Sequence, residues 1–406
     1  MSVDDGDQVP TGQTAGWRRR WLRLPIAALV AAVALLTTLA WLQPSDPDDL
    51  YRPPTGFEMA APGTLLRAEP FELGLPPEVE GWRVLYRSTD HTGSPIAVSG
   101  LVLAPTTARQ GPPPLVAIAH GSTGVAEECA PSLAARPLAP LPGVQEALDA
   151  GFVVTATDLP GLGTPGPHPY LVGSTSAHAV LDSLRAAREL TTVDPDRTAV
   201  WGFSQGGHAA LFAGEVAPDY APELTLDGVV AFAPATELAM ILERSQGTVL
   251  GTLVLVNAAV SWSEIYDDLD LEDVVAPDAV PAAQELAGRC LDPASLPAAT
   301  LGAIQLRDDL LPMEGTEGGT WARALEENTP RGPMPTPLLV LQGGADPIID
   351  ADITATNVAA RCAAGDDVDL RILTGAEHLT ISWRGAAQAV TWTQERFDGV
   401  ATSPTC

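Results

Sequence analysis

The chain has 406 residues, enough for one large core with an inserted subdomain or for two ordinary domains. Apolar residues make up 46%, which excludes a disordered chain. A net charge of −29 excludes nucleic acid and anionic lipid as natural partners, because phosphate would repel the protein.

Residues 1–23 are basic near their end, with Arg18, Arg19, Arg20 and Arg23 ahead of an apolar run over 24–42. A helix over that run is just long enough to cross ~30 Å of hydrocarbon. The Arg cluster is expected to stay cytoplasmic and the rest of the chain to be exported, with this helix as its membrane contact. A cleaved signal peptide, cut near Thr38 and Ala40, is the alternative. Residues 43–62 are expected to form a linker, rich in Pro and Asp at its start and therefore extended. Cys129, Cys290, Cys362 and Cys406 show no zinc-ligand spacing, and in an exported protein they imply two disulfides.

From residue 63 short β-branched and apolar runs alternate with helical stretches. The runs lie at 98–103, 115–119, 153–157, 198–202, 228–232, 338–341 and 370–373. Helical spacing appears at 176–190, 206–216, 350–363 and 386–397. This alternation implies an α/β fold: a mostly parallel sheet covered by helices on both faces. It stops between 235 and 334, where the pattern is helical and too long for a loop. An inserted helical subdomain is expected there, dividing a core of 63–234 and 335–406. Within it, 247–260 is almost wholly apolar but too short to span a bilayer. It reads either as a buried helix of the insert or as the wall of an apolar pocket. Val249, Leu250, Leu253, Val254, Leu255 and Val256 are the wall candidates, with the acidic stretch 264–273 keeping the outer face solvated.

Gly202-Phe203-Ser204-Gln205-Gly206 fits G-x-S-x-G between a strand and a helix. A sharp strand-to-helix turn would push Ser204 out at the sheet edge, at the positive end of the helix. A serine hydroxyl needs a base to become a nucleophile. Of six histidines, only His378 follows Ser204 beyond the adjoining helix, in a loop after the last strand. His208, one turn into that helix, should point away, and His120 reads as a structural loop residue. Asp346 stands in the loop after the penultimate strand and is the expected acid. Its rival, Asp350, reads as a helix N-cap. An oxyanion would need two N–H donors. Gln205 supplies one, and Ser122, or alternatively Thr123, supplies the other from the loop after 115–119.

The chain resembles the secretory lipases, a family of α/β hydrolases with fungal secreted and actinobacterial members. The resemblance is carried by Tyr86-Arg87-Ser88-Thr89-Asp90, by Val98-Ser99-Gly100 and by the His120–Gly124 loop with Cys129-Ala130-Pro131-Ser132. Asp158-Leu159-Pro160-Gly161-Leu162-Gly163, Pro167-His168-Pro169-Tyr170, Leu181-Asp182-Ser183-Leu184-Arg185 and 201–208 extend it, with the Asp346 and His378 loops. It implies the α/β-hydrolase fold, lipase or esterase activity on lipid or other esters, a helical lid, and neither cofactor nor metal. The N-terminal run departs from the family's usual cleaved signal. Four cysteines allow three pairings. Proximity favours Cys129–Cys290 and Cys362–Cys406, and the resemblance points the same way. A peptidase of the same fold and a non-catalytic surface-binding relative are the competing readings; neither a charged-terminus anchor nor an obligate protein partner is evident.

Overall fold

The computed structural model describes residues 49–72, 74–107, 111–311 and 319–406. The apolar run 24–42 lies outside them; among the described residues no helix is long and apolar enough to cross a membrane.

Nine strands form one sheet: β1 Leu65–Phe71, β2 Val79–Thr89, β3 Pro95–Pro105, β4 Leu115–Ala119, β5 Val153–Thr157, β6 Thr198–Phe203, β7 Gly228–Phe232, β8 Leu338–Gly343 and β9 Val368–Leu373. Their order is β1-β2-β3-β5-β4-β6-β7-β8-β9. The first three are antiparallel, and β5, β4, β6, β7, β8 and β9 run parallel. Every residue of β4 to β8 is buried, as a parallel strand covered on both faces requires. The covering helices are α1 Val144–Asp149, α2 Gly173–Leu190 and α3 Gln205–Tyr220. The insert adds α4 Leu238–Ser245, α5 Val249–Ile265, α6 Val280–Ala287, α7 Leu296–Leu306 and α8 Thr320–Glu327. After β8 come α9 Ala351–Ala364, α10 His378–Arg384 and α11 Ala386–Phe397. One apolar core lies between the sheet and α2 and α3, another beneath α1 and α11.

Between β7 and β8 the described chain is helical, apart from a single bridge between Val275 and Leu310. These helices enclose an apolar core of their own, around Val256, Ala259, Trp262 and Ala303. Glu264, Asp267, Asp268, Asp270, Glu272 and Asp273 all face solvent.

Three expectations change. β1 and β2 are strands that the residue pattern leaves unmarked, because partly buried antiparallel strands lack a continuous apolar run. The 43–62 segment is not an extended spacer where it is described. Leu50 and Tyr51 are buried, and the Tyr51 hydroxyl lies 2.9 Å from Ser132 Oγ. An aromatic side chain with a satisfied hydroxyl anchors a Pro-rich stretch that composition alone makes extended. His378 opens a short helix, with Glu377 and Thr380 forming a reciprocal cap at its start.

Disulfides join Cys129 to Cys290 and Cys362 to Cys406, at separations of 161 and 44 residues. The second ties the chain terminus to α9. Replacing Cys362 and Cys406 together by Ser should lower unfolding free energy by about 2–4 kcal/mol, read from the denaturant midpoint. Non-reducing peptide maps should yield a Cys129–Cys290 peptide; a Cys129–Cys362 peptide contradicts the fold.

Candidate active site

Strand β6 turns into α3 through Ser204, whose φ of 54° and ψ of −114° are strained for a residue with a side chain. The turn is possible because its neighbours are glycines. A Cβ on Gly202 would stand 1.9 Å from Gly206 O, and one on Gly206 2.1 Å from Ala119 O of β4. Backbone therefore packs on backbone around the serine. Ser204 N–H donates to Phe232 O at 2.9 Å, fixing the corner to β7.

The C-terminal ends of β6, β8 and β9 bring three side chains into line. His378 Nε2 lies 2.9 Å from Ser204 Oγ, and His378 Nδ1 lies 2.8 Å from Asp346 Oδ2. Asp346 is held by other donors. Its Oδ1 accepts from Ile348 and Ile349 N–H, both at 2.9 Å, and Gln342 Nε2 donates to Oδ2 at 3.3 Å. Gln342 is held in turn, donating to Ile349 O and accepting from Thr354 Oγ1, each at 2.8 Å. A carboxylate supported in this way orients an imidazole instead of moving with it. Asp350 caps α9, its side chain accepting from Asp352 N–H at 3.1 Å.

Beside Ser204, Gln205 is the first residue of α3, so its N–H has no acceptor within the helix. Ser122 borders the same cavity as Ser204. Thr123 turns its carbonyl to the insert, accepting from Leu291 N–H at 2.8 Å. The Ser122 hydroxyl is 2.7 Å from that of Tyr170, whose own ionisation burial pushes up to about 12. Among the described residues no cluster of three His, Cys, Asp or Glu could hold a metal ion.

Two features were not legible in the sequence. One is Gln342, a strand residue with no motif to mark it. The other is His168. Its Nδ1 lies 2.7 Å from Pro160 O, so Nδ1 carries the hydrogen and Nε2 accepts from Gln205 Nε2 at 2.9 Å. The side chain next to Ser204 is thereby fixed by a buried neutral imidazole. His208 faces away from Ser204, with Nε2 2.7 Å from Asn328 O. His120 sits in the loop core between the carbonyls of Gly121 and Asp158, at 2.6 and 2.9 Å.

The cavity at Ser204 has a volume of about 400 Å³, and its walls are mainly apolar. Helix α5 lines one side with Leu250, Leu253, Val254 and Ala258. Leu255 and Val256 turn inward to the insert's own core, which removes them from the expected wall. A seventeen-residue helix that is apolar all round has one face for the cavity and one for its neighbours. α4 contributes Leu238 and Ile241, and the loop after β8 contributes Ile348.

Burial lowers His168 and His208 each to about 4. Unfolded histidines bind a proton near 6.5, so between pH 6.5 and 4 the unfolded chain holds protons that the folded one refuses. Stability should therefore fall with pH across that window, by up to roughly 3 kcal/mol per histidine. Denaturant midpoints taken from pH 7 to pH 4 test this, and His208→Gln should flatten the slope.

The family model described as secretory lipase matches residues 141–404. Lipase A of Arthroderma benhamiae is 28% identical, with 89% of this chain and 82% of that protein covered. A probable inactive lipase of Mycobacterium tuberculosis is 30% identical, over 88% of this chain and 83% of its own length. The crystal structure of Candida antarctica lipase A shares the fold, with a TM-score of 0.73 at 21% identity, over 89% of this chain and 88% of that one. The rice cell wall degrading esterase LipA of Xanthomonas oryzae has a TM-score of 0.66 at 20% identity, over 84% of this chain and 100% of that one.

Proposed function

Because the chain belongs to the secretory lipase family, we propose that it hydrolyses carboxylic esters through an acyl-enzyme on Ser204. The observation that carries this is the hydrogen-bonded line Asp346–His378–Ser204 opening into an apolar cavity. His378 Nε2 takes the proton as Ser204 Oγ attacks the ester carbonyl carbon, and Asp346 holds the resulting imidazolium. The N–H groups of Gln205 and Ser122 receive the oxyanion. His378 then protonates the departing alcohol, and a water repeats the sequence to release the acid and restore Ser204. The substrate is an ester with an apolar chain, lipid among them, and the insert acts as the lid over that chain. Two disulfides favour work outside the cytoplasm, with 24–42 as anchor or signal. The relative named probable inactive does not set the reading here, since the three side chains of this protein are present and joined by hydrogen bonds through His378.

A fluorophosphonate should label Ser204, and Ser204→Ala should abolish the label with at least a ~10³-fold loss of ester hydrolysis. Asp346→Asn should cost about 10⁴-fold in kcat. Asp350→Ala should stay within a few-fold; if it were the worse of the two, the acid is misassigned.

A nitrophenyl ester series tests the cavity wall. Leu250→Asp and Val254→Asp should cut turnover of octanoate and longer esters about tenfold or more, while acetate turnover changes little. Equal loss on both, in variants with unchanged unfolding midpoints, removes α5 from the acyl site.

A further inference from the structure

Helix α5 presents a polar side chain to the cavity in the midst of its apolar face. Asn257 lines the cavity between Val254 and Ala258, one to two turns beyond Leu250 and Leu253. The spacing 250, 253 or 254, 257 keeps it on the cavity side of the helix. Only 3% of its surface is exposed, and among the described residues its carboxamide has no hydrogen-bond partner. Most other polar groups at the cavity are engaged, although the Gln205 Oε1 is buried with no partner among the described residues. Ser204 and His378 bond each other, Ser122 and Tyr170 pair their hydroxyls, Gln205 donates to His168, and Glu377 caps α10.

A carboxamide that loses its water without gaining another partner is costly, whereas a leucine of the same branched shape would complete the apolar wall at no such penalty. Asn257 therefore belongs to the cavity's contents: its two N–H donors and one carbonyl acceptor face whatever fills the space. In the free protein that is water. A plain alkyl chain entering the cavity displaces the water and strands the amide. A chain with an oxygen function at the right position replaces the water's bonds.

We propose that Asn257 selects esters whose cavity-bound chain carries a hydroxyl or carbonyl oxygen, making the preferred substrate class hydroxy- or oxo-acyl esters. This rests on the ester-hydrolase reading of Ser204 and adds a second point of recognition to it. A site built to bond a substrate oxygen rejects the analogue lacking it far more strongly than an apolar wall separates neighbouring chain lengths.

The test is made first by calorimetric binding to the Ser204→Ala protein, which needs no turnover. Methyl octanoate is compared with methyl octanoates bearing one hydroxyl or one oxo group at successive positions. One position, or two adjacent ones, should bind about tenfold tighter than the plain ester. Adding Asn257→Leu should bring the oxygenated and plain chains to within about twofold, by weakening the first and strengthening the second. Retained or improved binding of the plain ester also shows that this variant is folded. No preferred position, a preference that survives Asn257→Leu, or no binding of any chain overturns the proposal. Turnover of the same esters by the wild type is measured separately. Selective binding without any turnover would sink the hydrolase reading and leave the role of Asn257 standing.

Discussion

A serine held at a φ of 54° is the constraint on which the rest of this protein depends. The corner costs about 1–3 kcal/mol of backbone strain, and it persists because three backbone segments press on it. Gly202, Gly206 and Ala119 approach at distances that leave no room for a β-carbon. That contact unites β4, β6 and α3 into one rigid corner. The sheet order follows, since β4 and β6 must be neighbours and parallel for the corner to close.

The site divides its work between two kinds of environment. The core end is polar and extensively bonded: Asp346 takes two backbone N–H groups, and Gln342, Thr354, His168 and Pro160 hold the next layer. Side chains oriented by several hydrogen bonds suit the chemistry proposed for Ser204. The insert end is apolar and built from α4 and α5. Its contacts are non-directional, so it can adapt to a chain where the core end cannot. Asn257 is the exception on that side, a directional group on an adaptable wall.

Much of this could be read from the residues. Apolar runs located β4 to β8, because strands buried on both faces have no polar face to blur the pattern. Ser204, Asp346 and His378 were each picked by position relative to a strand end, and the structure sets them within hydrogen-bond distance of one another. β1 and β2 escaped because their mixed burial leaves no continuous apolar run. Tyr51 escaped because composition described its neighbours better than itself. Val256 was assigned to the wrong face because a helix apolar all round carries no phase information. Gln342, His168 and Asn257 are ordinary residues until the fold gives them neighbours.

The Cys129–Cys290 bond has a mechanical consequence. Residue 129 follows the loop that carries Ser122, and residue 290 lies in the insert, where the Leu291 N–H also donates to Thr123 O at 2.8 Å. Gly124 packs against the backbone of Arg289 and Cys290 so tightly that a β-carbon there would lie 3.1 Å from Arg289 O. The insert is thus riveted to the core beside the cavity that Ser122 and Ser204 share. Any breathing of the cavity must pivot on that rivet, with travel growing toward α4 and α5. Reduction of this disulfide would remove the covalent tie and leave the insert held to the Ser122 loop by the Leu291–Thr123 hydrogen bond and the packing at Gly124 alone.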